Sequence, residues 1–338
     1  MPQDRVTLAD VAQLAGVSLA TISKVLNGRA DVSPPTRARI EKLLEEHGYE
    51  RRGNRDISKG GFIELVFHEL DPLWSMELLS GVEAVAKDHG LSVVLTVSGD
   101  RRSPDPMWIE GVLRRRPVGI VLVFSDIPGE QRDRLRSRGI PFVVVDPAGE
   151  PPADAPYVGS ANWSGGLTAT RHLIALGHTR IATITGMEEM MCSFARVDGY
   201  RSAMKSAGLE IDPAWIRFGN FRVSGGYDHA MDLLSLPNRP TAIFAGSDLQ
   251  ALGVMDAARA KGLRIPEDLS VVGYDDIALS QWVTPRLTTI HQPLRRMGEE
   301  AARLAIRLSE GVPPTALRLD LAINLVVRES TAPPAVTM

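Results

Sequence analysis

The 338-residue chain contains a single cysteine, Cys192, and only 5% of its residues are aromatic. One cysteine excludes an internal disulfide framework and favours a reducing compartment. No run approaches the roughly 20 consecutive apolar residues that a membrane-spanning helix needs. The first residues, MPQDRVTLADVAQ, contain neither the apolar core nor the small-residue cleavage site of a secretory signal. We therefore expect a cytoplasmic protein with no membrane partner.

Motifs for metal binding and catalysis are also missing from the sequence. The seven histidines include no H-x-x-x-H pair, so we expect no metal and no cofactor. No G-x-S-x-G, P-loop or G-x-G-x-x-G string opens a helix after a strand-like run. Cys192 has no neighbouring base in the sequence, which favours a buried core thiol over a reactive one. These absences favour a binding protein over an enzyme.

Charge is distributed unevenly along the chain. The whole chain has a net charge of −3, but residues 1–60 hold ten Lys and Arg against eight Asp and Glu, a net of +2, which leaves −5 for the remainder. The basic run Arg51-Arg52-Gly-Asn-Arg55 follows the third predicted helix, where its side chains can meet phosphates. The N-terminal part is therefore a candidate for nucleic-acid contact.

Capping signals predict three short helices in residues 1–50. Thr7, Ser18 and Ser33 are suitable N-cap residues, and Gly16 lies in the turn between the first two helices. Two helices joined by a turn that contains glycine form a helix-turn-helix. The expected buried positions, at helical spacing, are Val11, Leu14 and Ala15 in the first helix and Ile22, Val25 and Leu26 in the second.

The outward side of the second helix carries residues suited to reading DNA. A leucine at the start of a recognition helix can pack on a thymine methyl, and a lysine can reach guanine O6 and N7. The alternative is a small helical bundle in which the lysine is only solvated. The outward residues are Leu19, Ala20, Ser23 and Lys24.

The strings VTLADVAQLAGVSLATISKVLNG and VSPPTRARIEKLLEEHGY resemble the headpiece of the LacI family of bacterial regulators, without gaps over nearly 50 residues. The resemblance implies a transcriptional regulator, most often a repressor, that binds double-stranded operator DNA as a homodimer. It implies base-reading roles for Leu19, Ala20 and Lys24. It also implies positions near the phosphate backbone for Thr7, Ser18, Thr21, Ser23 and Asn27.

The linker, residues 51–61, departs from the family pattern. Members of the family continue with an Asn-x-x-Ala-Arg-x-Leu stretch, which forms a hinge helix on DNA and inserts its leucine into the minor groove. Here the chain reads GYERRGNRDISKGG, so Ser58 falls at the leucine position and Ile57 precedes it. Either Ile57 is a substitute wedge or this protein has a weaker hinge. Arg51 is expected to contact phosphates.

Residues 62–331 alternate strand-like apolar runs with helical segments. Runs such as FIELVF, GIVLVF and SVVGYDD, with helices between them, predict parallel sheets that are buried on both faces. The resemblance implies an all-α helix-turn-helix headpiece followed by an α/β periplasmic-binding-protein-like domain of two parallel-sheet lobes. The expected limits are 62–160 and 292–320 for the N-lobe, 161–291 and 321–331 for the C-lobe, and 332–338 for a tail.

Candidate ligand residues follow the strands of this domain. Open parallel sheets bind ligands beyond the carboxyl ends of their strands, so the cleft between the lobes is the expected site. Asp275 follows SVVGY and can accept two hydroxyl hydrogen bonds. Arg196, in a string similar to the family's Ser-x-x-Arg-x-x-Gly-Tyr motif, can hold ligand oxygens with its guanidinium fork. Further candidates, by position or resemblance, are Trp74, Phe221, Ser247, Asp248 and Gln292.

Four of these candidates have an alternative interpretation. Asp275 or Asp276 can cap a helix, Arg196 can lie on a helix surface, and Trp74 and Phe221 can be core residues. A carboxylate, an arginine and aromatic walls together favour a sugar or short oligosaccharide, with a purine-type effector as the runner-up. The headpiece disfavours a transporter's solute-binding protein, and the lack of convergent acid and base groups disfavours a sugar-processing enzyme. The ending STAPPAVTM has no leucine heptad, so we expect a dimer.

Overall fold

The computed structural model describes residues 8–26, 32–46, 61–70, 73–99, 106–123, 127–147, 149, 151–152 and 154–335. Four candidate DNA contacts, Thr7, Asn27, Arg51 and Ile57, lie outside these described residues. Within them, no single helix is long and apolar enough to cross a membrane. The bent pair of helices Leu8–Ala15 and Leu19–Val25 reaches the required length and hydropathy only when the two are counted together.

The described N-terminal part folds into three helices, which are α1 (Leu8–Ala15), α2 (Leu19–Leu26) and α3 (Pro34–Glu46). Gly16 takes a φ of 62° in the turn after α1, a conformation that glycine adopts without steric cost. Ser18 caps α2, because its Oγ accepts the Thr21 N–H at 3.2 Å. Ile22 and Val25 are buried, as the helical spacing predicts. These contacts build the helix-turn-helix expected from the sequence.

The predicted buried side of α1 is wrong at one position. Leu14 is 56% exposed, whereas Ala12 is buried. Leu8, Ala12 and Ala15 lie on the side of α1 that packs in the headpiece core with Ile40 of α3. Periodicity predicts the width of an apolar stripe, but the neighbouring helix decides which edge of the stripe is covered.

The remainder of the chain forms two sheets of parallel strands, with an antiparallel pair at one edge of the second sheet. The first sheet contains β1 (Phe62–Phe67), β2 (Ser92–Val97), β3 (Gly119–Val123), β4 (Phe142–Val145), β5 (Tyr157–Ser160) and β11 (Arg318–Leu321), in the order β11-β5-β4-β3-β1-β2. The second contains β6 (Ile181–Thr185), β7 (Ile216–Phe218), β8 (Ala242–Ala245), β9 (Ser270–Asp275), β10 (Thr288–His291) and β12 (Asn324–Val326), in the order β12-β10-β9-β8-β6-β7. The predicted fold class is confirmed.

Helices cover both faces of each sheet. The first lobe has α4 (Trp74–Asp88), α5 (Pro106–Arg115), α6 (Gly129–Ser137) and α11 (Leu294–Ser309), and the second has α7 (Asn162–Ala175), α8 (Met191–Ser206), α9 (Val223–Leu234) and α10 (Asp248–Ala260). Along β1, Ile63 and Leu65 pack with α4 and α11, whereas Val66 packs with α5 and α6. Burial on both faces explains why central strands such as β3 and β4 are unbroken apolar runs.

The chain passes between the two sheets at three neighbouring places, which we call the hinge crossings. They lie between β5 and α7, between β10 and α11, and between β11 and β12. β5 pairs with β11, and β10 pairs with β12, so the crossings lie side by side. The lobes are therefore joined along one side of the molecule.

The end of the described chain packs on the second lobe. His178 Nε2 lies 2.9 Å from the carbonyl oxygen of Ala332, and the Ala332 N–H donates to Ser270 Oγ at 3.0 Å. Burial lowers the pKa of His178, which favours a neutral, hydrogen-bonded structural histidine. Ala332, expected to begin a tail, is thus held by the C-lobe.

Close packing of α11 on α4 generates a first prediction. A Cβ at Gly298 would overlap the carbonyl oxygen of Leu78, so we expect Gly298→Ala to lower the free energy of unfolding by about 1–3 kcal/mol. Denaturant unfolding followed by circular dichroism measures this loss. The control is Gly129→Ala on α6, where a Cβ would meet nothing closer than Arg132 Nη2 at 3.5 Å. Equal losses in the two variants would contradict the explanation by helix contact.

Candidate ligand cleft and nucleic-acid interface

The outward side of α2 carries the described candidates for DNA contact. Leu19 is 54% exposed, and Ala20, Ser23 and Lys24 are also exposed. The hydroxyls of Ser18 and Thr21 lie 2.9 Å apart at the start of the helix. An exposed face at the start of the second helix of a helix-turn-helix is the part that enters a major groove.

Five of the seven candidate ligand residues line one cleft between the two lobes. Its cavity volume of about 160 Å³ far exceeds the space that a single water molecule needs. Trp74, at the start of α4, belongs to the first lobe, and the other four belong to the second. The five residues are Trp74, Arg196, Phe221, Ser247 and Asp275.

Arg196, on α8, is 3% exposed, and its guanidinium is held on several sides. Nη1 donates to the carbonyl oxygen of Gly246 at 2.5 Å, Nε donates to Asn162 Oδ1 at 2.9 Å, and Nη2 donates to Gln292 Oε1 at 3.5 Å. Its Cζ lies 3.6 Å from the centroid of the Tyr274 ring. Burial opposes the charge, but neighbouring acidic groups outweigh it and raise the pKa of Arg196. The cleft therefore contains a fixed, permanently charged guanidinium.

Ser247 connects two parts of the cleft wall. Its Oγ accepts the Gln250 N–H at 3.1 Å, which caps α10, and donates to the carbonyl oxygen of Phe221 at 2.9 Å. One hydroxyl therefore positions both the start of a helix and the loop that carries an aromatic side chain. This role needs a short side chain with a donor and an acceptor on one oxygen.

Gln292 and Asp248 lie behind the cleft wall and are not among its lining residues. Gln292 Nε2 donates to Asp146 Oδ2 at 3.0 Å, so Gln292 joins Asp146 to the Arg196 network. Asp248 is 1% exposed and accepts from Thr289 Oγ1 at 2.5 Å and from the Ile277 N–H at 2.9 Å. Burial raises the pKa of Asp248 to about 7. Both side chains hold the structure around the cleft.

Left-handed backbone occurs at the ends of β4 and β9 and in the loop before α9. φ is 45° at Asp146, 62° at Phe221, 111° at Asp275 and 61° at Asp276. Each such residue costs on the order of 1–3 kcal/mol and persists where the surroundings enforce it, as at ligand sites. Asp276 Oδ1 accepts from Arg328 Nη2 at 2.5 Å, so the Asp276 side chain turns to an ion pair and does not line the cleft.

Several cleft residues carry no signal in the sequence, and most of them lie on loops, whereas Ser75 and Leu249 lie in the first turns of α4 and α10. Glu69 and Arg222 come from different lobes and form an ion pair beside the cleft. Asp146 does not line the cleft, but it ends the run PFVVVD, so the strand-end rule that located Asp275 also indicates Asp146. The other unforeseen lining residues include His68, Leu70, Ser75, Asn220, Leu249 and Ile277.

The described residues support neither a metal site nor a reactive thiol. No group of three or more His, Cys, Asp and Glu side chains among them could hold a metal ion. Cys192 is buried, and burial raises the pKa of its thiol to about 11. A thiol with that pKa is protonated at neutral pH and is a poor nucleophile. Recognition of a bound molecule is what the cleft geometry supports.

Two family models match the chain. The model described as "Bacterial regulatory proteins, lacI family" matches residues 7–52, and "Periplasmic binding protein-like domain" matches residues 170–331. The transcriptional regulator CelR of Thermobifida fusca is 36% identical over 339 residues, which cover 96% of this chain and 98% of CelR. The similarity therefore runs through the headpiece and both lobes.

Solved structures extend the same similarity. A complex of the transcriptional regulator CelR with cellobiose has a TM-score of 0.72 and 33% identity, and the match covers 96% of this chain and 100% of that chain. The lac repressor dimer bound to operator and the anti-inducer ONPF has a TM-score of 0.69 and 26% identity, and the match covers 97% of this chain and 100% of that chain.

Proposed function

This chain belongs to the LacI family of bacterial regulatory proteins, and from that premise we propose that it is a repressor whose affinity for operator DNA is set by a small molecule in the cleft. Its relatives are transcriptional regulators and not enzymes, so we assign it a cytoplasmic, regulatory role without catalysis. The observation that carries the effector proposal is the convergence of Asp275, Arg196 and two aromatic side chains on one cleft.

Operator recognition is proposed for the outward side of α2. Leu19, Ala20 and Lys24 are the base-reading residues in this proposal, because all three are exposed on the second helix, Leu19 and Ala20 at its start and Lys24 in its last turn. Phosphate contacts are proposed for Thr7, Ser18, Thr21, Ser23, Asn27 and Arg51, and a minor-groove wedge for Ile57.

Replacing Lys24 tests base reading. We expect Lys24→Ala to cost about 1–3 kcal/mol on an operator obtained by selection from random DNA, and less on unselected DNA. Fluorescence anisotropy at one fixed salt concentration measures both affinities. The charge-matched control is Lys87→Ala, at an exposed lysine of α4. This control should change neither of the two DNA affinities. Equal losses on selected and unselected DNA would count against base reading by Lys24.

A sugar is the effector class that we propose for the cleft. Vicinal hydroxyls both donate and accept, so they match a carboxylate acceptor and a guanidinium donor that face one cavity. Trp74 and Phe221 offer aromatic surface to the C–H faces of a sugar ring. The cellobiose bound to the similar regulator CelR supports the same class of ligand here.

Replacing Asp275 tests the effector site. A thermal-shift screen of mono- and disaccharides and nucleobases identifies a ligand, because binding to the native state raises the melting temperature. We expect Asp275→Asn to weaken that ligand by about 2 kcal/mol or more in calorimetry, since one acceptor becomes a donor. Asp228→Asn, an exposed aspartate of α9, is the control. If the variant binds the ligand with wild-type affinity, Asp275 is not part of the site. If a nucleobase raises the melting temperature in the screen, the effector is of the purine type and not a sugar.

A homodimer is proposed for this chain, as in the similar lac repressor dimer. Trp282 is 81% exposed, and an exposed aromatic side chain is a frequent anchor of an interface. Light scattering should give the mass of two chains, and Trp282→Glu should lower the share of dimer at micromolar concentration. Val312→Glu, at a position 41% exposed, should leave the dimer intact. A monomeric or tetrameric wild-type protein would contradict the proposal.

A further inference from the structure

We propose that the first lobe carries a DNA-contacting surface of its own, which binds the phosphate backbone of duplex DNA independently of the base sequence. The inference rests on the proposed function, in which the headpiece holds the DNA. The surface, which we call the basic edge, lies at the ends of α5 and α6. It consists of five exposed arginines, Arg114, Arg115, Arg116, Arg136 and Arg138.

The basic edge lies where the chain enters the first lobe from the headpiece. The Val118 N–H donates to the carbonyl oxygen of Phe62 at 2.9 Å. A Cβ at Gly61 would lie 2.8 Å from Val118 Cγ2, and Val118 is only two residues beyond Arg116. The cleft lies at the opposite edge of this sheet, because its lining from the first lobe is at or beyond the end of β1. The headpiece is therefore tethered beside the basic edge and away from the cleft.

The ends of α5 and α6 form one continuous surface. Both helices pack on the same face of the first sheet, α5 through Ile109 and Val112 and α6 through Leu135. Arg134 Nη2 of α6 donates to Glu110 Oε1 of α5 at 2.5 Å, which links the two helices along their exposed sides. Packed helices lie about 8–10 Å apart, so arginines at the two ends reach the same stretch of a bound polyanion.

Positive charge is in excess at this edge. The strings LRRRP, residues 113–117, and LRSRGIP, residues 135–141, contain no acidic residue, although the chain from residue 61 onward has a net charge of −5. Two of the arginines have a carboxylate partner at 2.5 Å, in the pairs Arg115–Glu64 and Arg136–Asp154. Neither Arg114 nor Arg138 forms an ion pair with another described residue. At least two guanidinium groups are thus available for phosphates.

The helix dipole accounts for only part of this clustering. The dipole stabilises a cation in the last turn of a helix, as at Lys205 of α8. Three consecutive arginines, however, repel one another, and a bound polyanion removes that repulsion. On the opposite face of the sheet, α4 ends in Lys87 and Asp88, whose charges cancel. The positive surface is therefore confined to the side of α5 and α6.

Duplex DNA is the polyanion that this position favours. It carries one negative charge per about 1.7 Å of its axis, and the guanidinium fork matches phosphate oxygens. Residues 47–60 join α3 to the first lobe, and a chain of that length spans at most about 50 Å. DNA bound by the headpiece is thus kept at a high effective concentration near the basic edge, so even weak phosphate contacts add to the total affinity.

The salt dependence of DNA binding by the full-length protein tests the basic edge. Fluorescence anisotropy gives Kd between about 50 and 200 mM sodium chloride for the selected operator and for an unselected duplex of equal length. We expect the double variant Arg114→Gln/Arg138→Gln to flatten the plot of log Kd against log salt concentration by about 0.9 for each arginine, because fewer counterions are released. At about 100 mM salt it should bind both duplexes at least about fivefold more weakly.

The matched control is Lys205→Gln, which removes one positive charge from the last turn of a helix in the second lobe. It should bind both duplexes as the wild type does. Lys24→Ala gives the contrasting pattern, since its loss should fall mainly on the selected operator. The single variants Arg114→Gln and Arg138→Gln, each with about half of the change in slope, replace the double variant if circular dichroism shows that it does not fold.

The outcomes separate this inference from the proposed function. A folded variant with the wild-type salt slope would overturn the basic edge and leave operator binding by the headpiece intact. A loss confined to the selected operator, or an equal loss in Lys205→Gln, would also overturn it, because backbone contact at one surface predicts neither. If the wild-type protein binds neither duplex, the proposed function fails, and this inference fails with it.

Discussion

The buried guanidinium of Arg196 is the contact on which the effector domain most depends. Its donors reach Asn162 just after the first hinge crossing, Gln292 in the second, and the carbonyl of Gly246 at the end of a strand. Gln292 carries the network on to Asp146 in the other lobe. A charge removed from water must keep all its partners, because breaking a buried polar network costs far more than its net stabilisation. The relative positions of the hinge crossings and the cleft wall are therefore linked through one side chain.

The same arrangement explains why strained backbone persists at the strand ends. Asp275 follows Tyr274, which is fully buried and packs its ring against the Arg196 guanidinium. The sheet and the cation together hold Asp275 at a φ of 111°, a conformation that few residues with a side chain adopt. The packing of the lobe's core offsets the free-energy cost of this backbone conformation. In this conformation Asp275 lies in the cleft wall.

The sequence predicted the buried strands more closely than the edge strands. The runs FIELVF and IATIT coincide with β1 and β6, because continuous burial demands continuous apolar residues. The run SVVLTV also coincides with a strand, β2, although β2 lies at a sheet edge and is half-buried or exposed along its length. The edge strands β7, β11 and β12 are short and largely half-buried or exposed, so no apolar run marked them. Their conformation comes from backbone pairing with a neighbour, which leaves little trace in side-chain pattern. Helix α8 likewise begins at Met191, before the predicted GYRSAMKSAG segment.

By itself, the sequence determined the central buried strands, the three headpiece helices, the Ser18 cap of α2 and the strand-end position of Asp275. Tertiary structure alone decided that Leu14 is exposed and that Gln292 and Asp248 stand behind the cleft wall. The reason is the distance along the chain over which each sequence signal acts. Caps and periodicity depend on residues a few positions apart, whereas Asp146 and Gln292 are separated by 146 positions, and only the completed packing of two lobes brings them within hydrogen-bonding distance.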